Sequence, residues 1–142
     1  MPTLHDAMSA SASALSAERA RIEVAVSNLA NAESTRGANG EPYRRRDVVL
    51  ASDPLETFET ALGRASAVGV KVADIREDSS PFRRRYDPAH PDADGNGFVA
   101  MPNVDVPEEM VDMMAASRAY QANLTAVGLI RDMINRALDL GK

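Results

Sequence analysis

The chain has 142 residues, with 16 basic and 21 acidic side chains and a formal net charge of −5, a length that suits one domain or one domain with an insert. The acidic balance argues against a nucleic-acid binder, which carries a net basic face, and the absence of cysteine excludes disulfides, thiolate metal sites and a cysteine nucleophile. Hydrophobic residues make up 44% but aromatics only 4%, with no tryptophan, so burial has little large side-chain area to act on and the chain is expected to draw on partners for stability.

At the N-terminus, Glu18, Arg19, Arg21 and Glu23 interrupt the region where a cleavable signal should be most apolar, and no stretch approaches the ~18 apolar residues of a membrane span. That pattern fits a cytoplasmic chain, or one exported without a cleaved signal. Thr3 with Asp6 three residues on is a helix start signal. Met8, Ala12, Leu15, Arg19, Ile22, Val26 and Leu29 then alternate in steps of four and three, a heptad seam broken only by Arg19. With Asn31 and Gly37 as stop signals, the spacing predicts a helix over about 4–32, ~43 Å long. Within it, Ser9-Ala10-Ser11-Ala12-Ser13-Ala14 lacks a G-x-S-x-G elbow and reads as a close-packing surface of small residues.

The stretch 35–104 has another texture, holding most of the glycines and prolines. Asn39-Gly40 and Asp94-Gly95-Asn96-Gly97 are turn signals, and Tyr43–Ala51, Val70–Arg76, Phe82–Tyr86 and Phe98–Met101 are predicted as short strands. Asp53-Pro54 is read as opening a short helix through Leu62. Two arginine triplets, Arg44-Arg45-Arg46 and Arg83-Arg84-Arg85, are read as solvated or ion-paired rather than as a phosphate or RNA cradle, because no aromatic platform accompanies them beyond Tyr43, Phe82 and Tyr86. Asp92-Ala93-Asp94-Gly95-Asn96-Gly97 matches the opening of a calcium loop. Its twelfth position is Asn103 instead of a bidentate Glu, and Pro88 and Pro91 forbid a regular helix upstream, so an ordinary turn is preferred. His5 and His90 have no metal-ligand spacing, and there is no phosphate-binding glycine motif. No catalytic residue, metal or cofactor is expected.

The C-terminal stretch is the clearest. Asp105 is an N-cap with Glu108 in the capping-box position, Pro107 sits in the first turn, and Glu108 and Glu109 suit the positive end of a helix dipole. Val106, Met110, Met113, Ser117, Tyr120, Leu124, Val127, Arg131, Ile134 and Leu138 hold the four-three rhythm up to the terminator Gly141, predicting a helix ~50 Å long. Met110, Met113 and Met114 form a soft, adaptable contact surface. The expected fold is mainly α: long N- and C-terminal helices (1–34 and 105–142) pairing as a coiled coil, with a small β-rich insert (35–104) between them. A lone pair leaves much of each helix wet, so the seam calls for further helices from other copies.

Two segments carry a resemblance. Ser27-Asn28-Leu29-Ala30-Asn31-Ala32 is similar to the S-N-[LI]-A-N motif of the flagellar rod, hook and hook-associated axial proteins. Pro102-Asn103-Val104, then Glu109-Met110, and then Ala116-Ser117-Arg118-Ala119-Tyr120-Gln121-Ala122-Asn123 resemble that family's C-terminal signature. Gly40-Glu41-Pro42-Tyr43-Arg44, Gly69–Asp74 and Tyr86–Asp94 resemble its proximal-rod branch. The resemblance implies an axial subunit of the flagellar basal body, a helical drive shaft that transmits torque. It implies export by the flagellar type III apparatus without cleavage. The implied partners are other proximal-rod proteins, the adaptor to the membrane ring, the distal rod protein and copies of the chain itself. The expected contact residues are Asn28, Leu29, Ala30, Asn31, Pro102, Asn103, Val104, Glu109, Met110, Met113, Arg118, Tyr120, Asn123 and Leu124. Asn28 and Asn31 are expected to tie the helix end to the following loop, and Arg118 and Tyr120, about 200° apart on a helix, to serve different contacts. Holding the hairpin inside one subunit is the plainer role for all four. Set against the rod reading are a cytoplasmic coiled-coil adaptor and, behind it, an enzyme or calcium-binding module.

Overall fold

The computed structural model describes residues 3–37, 39–54 and 68–140. Helix α1 (Leu4–Ala30) is followed by strands β1 (Arg46–Pro54), β2 (Val68–Glu77), β3 (Arg83–Tyr86) and β4 (Phe98–Met101), and the chain ends in helix α2 (Val106–Leu140). β1 pairs with β2 and β3 with β4 in separate two-stranded sheets. The architecture is therefore mainly α, with a small β insert between terminal helices. Asp53 and Pro54 end β1; the remainder of the short helix expected through Leu62 lies outside the described residues.

The chain divides into two compact units, one of Met1–Ala20, Val49–Asp74 and Ala115–Lys142, the other of Arg21–Val48 and Ile75–Met114. In the first, α1 starts on a reciprocal cap: Thr3 N–H donates to Asp6 Oδ2 at 2.8 Å and Asp6 N–H to Thr3 Oγ1 at 3.2 Å. These bonds from Thr3 hold the Asp6 carboxyl below its ordinary value. In the Ser-Ala run, Ser13 makes a close contact with β2 while Ala12 is exposed. Ser13 Oγ accepts from Val70 N–H at 3.0 Å, and a Cβ placed on Gly69 would stand 2.7 Å from that oxygen. Lys71 Nζ reaches Asp53 Oδ1 at 2.8 Å across the β1–β2 ribbon, and this hydrogen bond raises the lysine's pKa.

In the second unit β3 and β4 run antiparallel, from Arg83 opposite Met101 to Tyr86 opposite Phe98. Period-two alternation buries Val99 and Met101 and leaves Phe98 and Ala100 outside. Ala25, Ala32, Val99, Met101, Pro102 and Val104 are its buried apolar side chains among the described residues. The β3–β4 connection is a self-contained turn: Asp94 Oδ1 accepts from Asn96 N–H and Phe98 N–H, each at 2.9 Å, Arg84 pairs with Oδ2, and Gly97 takes φ +81°. The backbone bonds from Phe98 and Asn96 lower the Asp94 pKa. Asp94, the third position of the calcium-loop pattern, is thus committed to its own backbone and Arg84, and Asp92, which would head the loop, accepts from Thr35 Oγ1 at 2.8 Å.

Within the single chain, solvent exposure does not follow the expected seam throughout. On α2 the residues that lose solvent are Glu109, Met113, Ala116, Tyr120, Asn123, Val127, Ile130 and Ile134, themselves in steps of four and three. Four of the expected positions (Met113, Tyr120, Val127, Ile134) lie on this line. Of the other six, Val106 and Ser117 are half-buried and Met110, Leu124, Arg131 and Leu138 are exposed; Met110, Ser117, Leu124 and Arg131 each stand one residue, about 100°, off the buried line. α1 repeats the pattern, with Met8, Leu15, Ile22 and Leu29 half-buried, Ala12, Arg19 and Val26 exposed, and Ala17, Ala25 and Asn28 buried instead. Apart from Ile130, the fully buried positions of the two helices are alanines and hydrogen-bonded polar groups, while the bulkier apolar side chains keep more solvent.

Candidate functional site

In the second unit, three motif residues converge on β1. Asn28, in the last turn of α1, is 1% exposed. Its Oδ1 accepts from Arg46 N–H at 3.0 Å and Tyr43 O–H at 2.9 Å, and its Nδ2 donates to Arg46 C=O at 2.8 Å and Glu109 Oε2 at 2.9 Å. The amide thus uses its two donors and two acceptor positions, gripping both backbone groups of Arg46 much as a neighbouring strand would. Glu109, 2% exposed, takes the Arg45 Nε–H on its other oxygen. Arg45 Nη2 also lies 3.6 Å from Asp112. Burial by itself would lower the Arg45 pKa; the hydrogen bond and charge of Glu109 outweigh it and raise it.

The backbone of Arg45 is held as firmly. Its N–H donates to Asn103 Oδ1 at 2.8 Å, its C=O accepts from Asp78 N–H at 2.8 Å, and Asn103 Nδ2 donates to Asp78 C=O at 3.2 Å. Glu109 stands in the first turn of α2, where backbone N–H groups favour a carboxylate; its own N–H reaches Asp105 C=O at 3.0 Å, and Asp105 Oδ1 caps Glu108 N–H at 3.4 Å. Among the described residues no buried side-chain nitrogen or oxygen lacks a partner. The cleft over this cluster measures about 30 Å³, room for roughly one water molecule. The arrangement is a polar lock whose side chains satisfy one another. Among the described residues no three His, Asp or Glu side chains are grouped to hold a metal ion.

The structure therefore sorts the expected contact residues. It brings Asn28, Asn103 and Glu109 together through Arg45, with buried Pro102 and Val104 beside them in sequence. Asn31 stays local, its Nδ2 donating to Ser27 C=O at 2.8 Å to close the helix end, whereas Asn28 reaches past the following loop to Arg46. Leu29 is half-buried and Ala30 exposed. Met110, Arg118 and Leu124 are exposed, and Met113, Tyr120 and Asn123 half-buried, so Arg118 and Tyr120 do occupy different environments.

Sequence reasoning missed Arg45, Tyr43 and Asp78. Strand alternation was the available signal, since the middle residue of a triplet faces away from its neighbours. All six triplet arginines are engaged within the chain. Arg44 lies 4.3 Å from the Phe82 ring centroid, Arg46 is 3.6 Å from Glu77, Arg84 is 2.8 Å from Asp94, Arg85 is 3.1 Å from Glu33, and Arg83 donates to Pro102 C=O. The ion-pair reading of the triplets is the one the geometry bears out.

Comparison with known proteins supplies the family. Residues 8–38 match the model described as flagella basal body rod protein, and residues 96–140 the one described as flagellar basal body rod FlgEFG protein C-terminal. The flagellar basal-body rod protein FlgC of Salmonella typhimurium is 47% identical over 130 residues, covering 92% of each chain. The chain belongs to the FlgC family of flagellar basal-body rod proteins. FlgC of Bacillus subtilis is 45% identical over 150 aligned positions, 99% of each chain, and that of Borreliella burgdorferi 38% over 149, 95% of each. The two matched regions hold Asn28, Asn103 and Glu109, while Tyr43, Arg45 and Asp78 lie between them. The lock thus joins both family motifs, directly through Asn28 and Glu109 and also through residues outside either.

Proposed function

We propose that the chain is a structural subunit of the flagellar proximal rod, built into the helical shaft that transmits torque, and that it performs no chemistry. It is made in the cytoplasm, leaves through the flagellar type III apparatus without cleavage, and takes its place in the basal body within the periplasmic space. Its neighbours there are copies of itself, other proximal-rod proteins, the adaptor to the membrane ring and the distal rod protein. In the assembled rod the terminal helices pair as coiled coils with one another and with helices of neighbouring subunits.

The observation that carries this reading is the row left outside the buried line of α2. Met110, Leu124 and Leu138 are 48%, 55% and 65% exposed and recur at multiples of seven, with Met114 beside them; Leu129 and Met133 are also exposed, on another face of the helix. Seven-residue recurrence keeps a row on one face of a supercoiled helix, and covering one such leucine contributes about 1.5–3 kcal/mol. The contact residues divide accordingly. Asn28, Asn31, Pro102, Asn103, Val104 and Glu109 shape the subunit, while Met110, Arg118 and Leu124 meet neighbours, with Leu29, Ala30, Met113, Tyr120 and Asn123 at the margin. Heterologous contacts of this kind do not close and so build a filament or tube.

Leu124→Asp tests it. The variant is expected to accumulate with an unchanged urea midpoint, yet to be missing from purified hook–basal bodies and to leave cells non-motile. Normal motility and normal incorporation would remove Leu124 from the interface; absence of the unmodified chain from basal bodies would overturn the rod reading altogether.

A further inference from the structure

Three thioethers are exposed on α2, and two of them, Met110 and Met114, stand together in its first turns, whereas Met133, 49% exposed, stands apart near its end. Met110 and Met114 are 48% and 47% exposed, and Val111 beside them is 60% exposed. A spacing of four places the two sulfurs on one face, one turn apart. Met113, between them in sequence, lies on the buried line, and Met101 is 3% exposed. A leucine in the same place would be inert to mild oxidants; a solvent-facing thioether is not.

We propose that Met110 and Met114 form an oxidation site that controls entry of the free chain into its assembly, and the proposal rests on reading the exposed row as the assembling face. The reactant is a two-electron oxidant of the peroxide class. The thioether sulfur attacks one peroxide oxygen, the O–O bond breaks, that oxygen stays as the sulfoxide and the other leaves as water. Sulfur loses two electrons and peroxide gains them. The product is polar and chiral. It interrupts the apolar patch at Met110, Val111 and Met114 without touching Glu109, Met113 or Ala116 on the inner line, so the subunit keeps its fold and loses its adhesive face. Once covered by a neighbour, both sulfurs are shielded, and the sensitivity belongs to the unassembled chain. Reduction of the sulfoxide by a dithiol-dependent reductase restores the face.

The test has two arms. Purified full-length chain treated with dilute hydrogen peroxide should gain oxygen at Met110 and Met114 about tenfold faster than at Met101, by peptide mass spectrometry, as exposure dictates. Its helical circular dichroism should not change. Equal rates, or loss of helix on oxidation, would overturn the proposal. In motile cells given a peroxide pulse during rod assembly, the sulfoxide fraction at Met110 and Met114 should be at least about fivefold lower in newly assembled basal bodies than in the free pool, as expected when a polar sulfoxide disrupts a Met-rich interface. Expressing a methionine sulfoxide reductase should abolish the difference. Equal fractions in both pools would sink the oxidation proposal while leaving the rod assignment intact, whereas basal bodies devoid of the chain would sink the assignment itself.

Discussion

Asn28 shows how much one amide can organise. It serves the two backbone groups of Arg46, the Tyr43 hydroxyl and the Glu109 carboxylate at once. Removing a buried partner costs about 1–3 kcal/mol for each polar group left stranded, so Asn28→Ala should lose about 2–4 kcal/mol in urea unfolding. Asn28→Asp should lose more, because it sets a second carboxylate against buried Glu109 and removes the donors that bind Arg46 and Glu109; a midpoint equal to that of Asn28→Ala would contradict this account. Gly69 is the second sensitive point. Gly69→Ala drives a methyl to 2.7 Å from Ser13 Oγ and should cost about 1–3 kcal/mol by overpacking. Ser13→Ala in the same chain should recover part of that, since it deletes the oxygen that is struck. The sequence made Asn28, Asn103 and Glu109 legible as motif members but not as partners of one another. The residue that joins them, Arg45, is hidden in a charge run whose members look equivalent until strand alternation separates them.

At the scale of elements, both helices were readable because capping and periodicity are local. Thr3, Asp6, Asp105 and the four-three rhythm need no knowledge of the rest of the chain. Burial within the single chain is less legible, because it does not follow bulk: Ala17, Ala25, Ala116 and the polar Glu109 are buried, whereas Val26, Met110 and Leu124 are exposed. Strand bounds slid by up to three residues where β1 is governed by side-chain contacts with Asn28 rather than by its own composition. Two element ends are pH-sensitive in a defined direction. Asp6, by its bonds to Thr3, and Asp94, by its bonds to Phe98 and Asn96, have folded-state values below the ordinary 3.8. Their stabilising effect is therefore complete above that value and is lost as pH falls through the lower folded one. Thermal stability should drop as pH falls below about 4, as lowered carboxylates dictate. Asp94→Asn should flatten the slope of that drop; an unaltered slope would show that the turn carboxylate contributes nothing.

The whole molecule is thinly cored. Of the eight apolar side chains classed as buried among the described residues, four are alanine, while Val111, Leu124, Leu129 and Leu138 are each at least 55% exposed. Large apolar area outside and small area inside is the inverse of what an independent monomer needs. The purified chain should therefore be a monomer with less helix by circular dichroism than α1 and α2 account for, gaining the remainder on assembly. A fully helical, stable monomer would contradict it. Tyr120 and Leu124 separate the two roles: Tyr120→Ala removes half-buried area and should lower the urea midpoint, whereas Leu124→Asp should leave it in place.

The Tyr43 hydroxyl, donated to Asn28 at 2.9 Å, has a spectroscopic consequence. With no tryptophan and three tyrosines, the near-ultraviolet signal comes chiefly from phenol rings. Tyr86 is 66% exposed, so it is already in water and changes little on unfolding, and Tyr120→Phe silences the other partly covered ring. What remains is Tyr43, whose emission and fine structure respond to the hydrogen bond it makes. The lock thus carries its own optical reporter. In unlabelled protein, the moment at which the two motifs part can be timed separately from the melting of the helices that bear them.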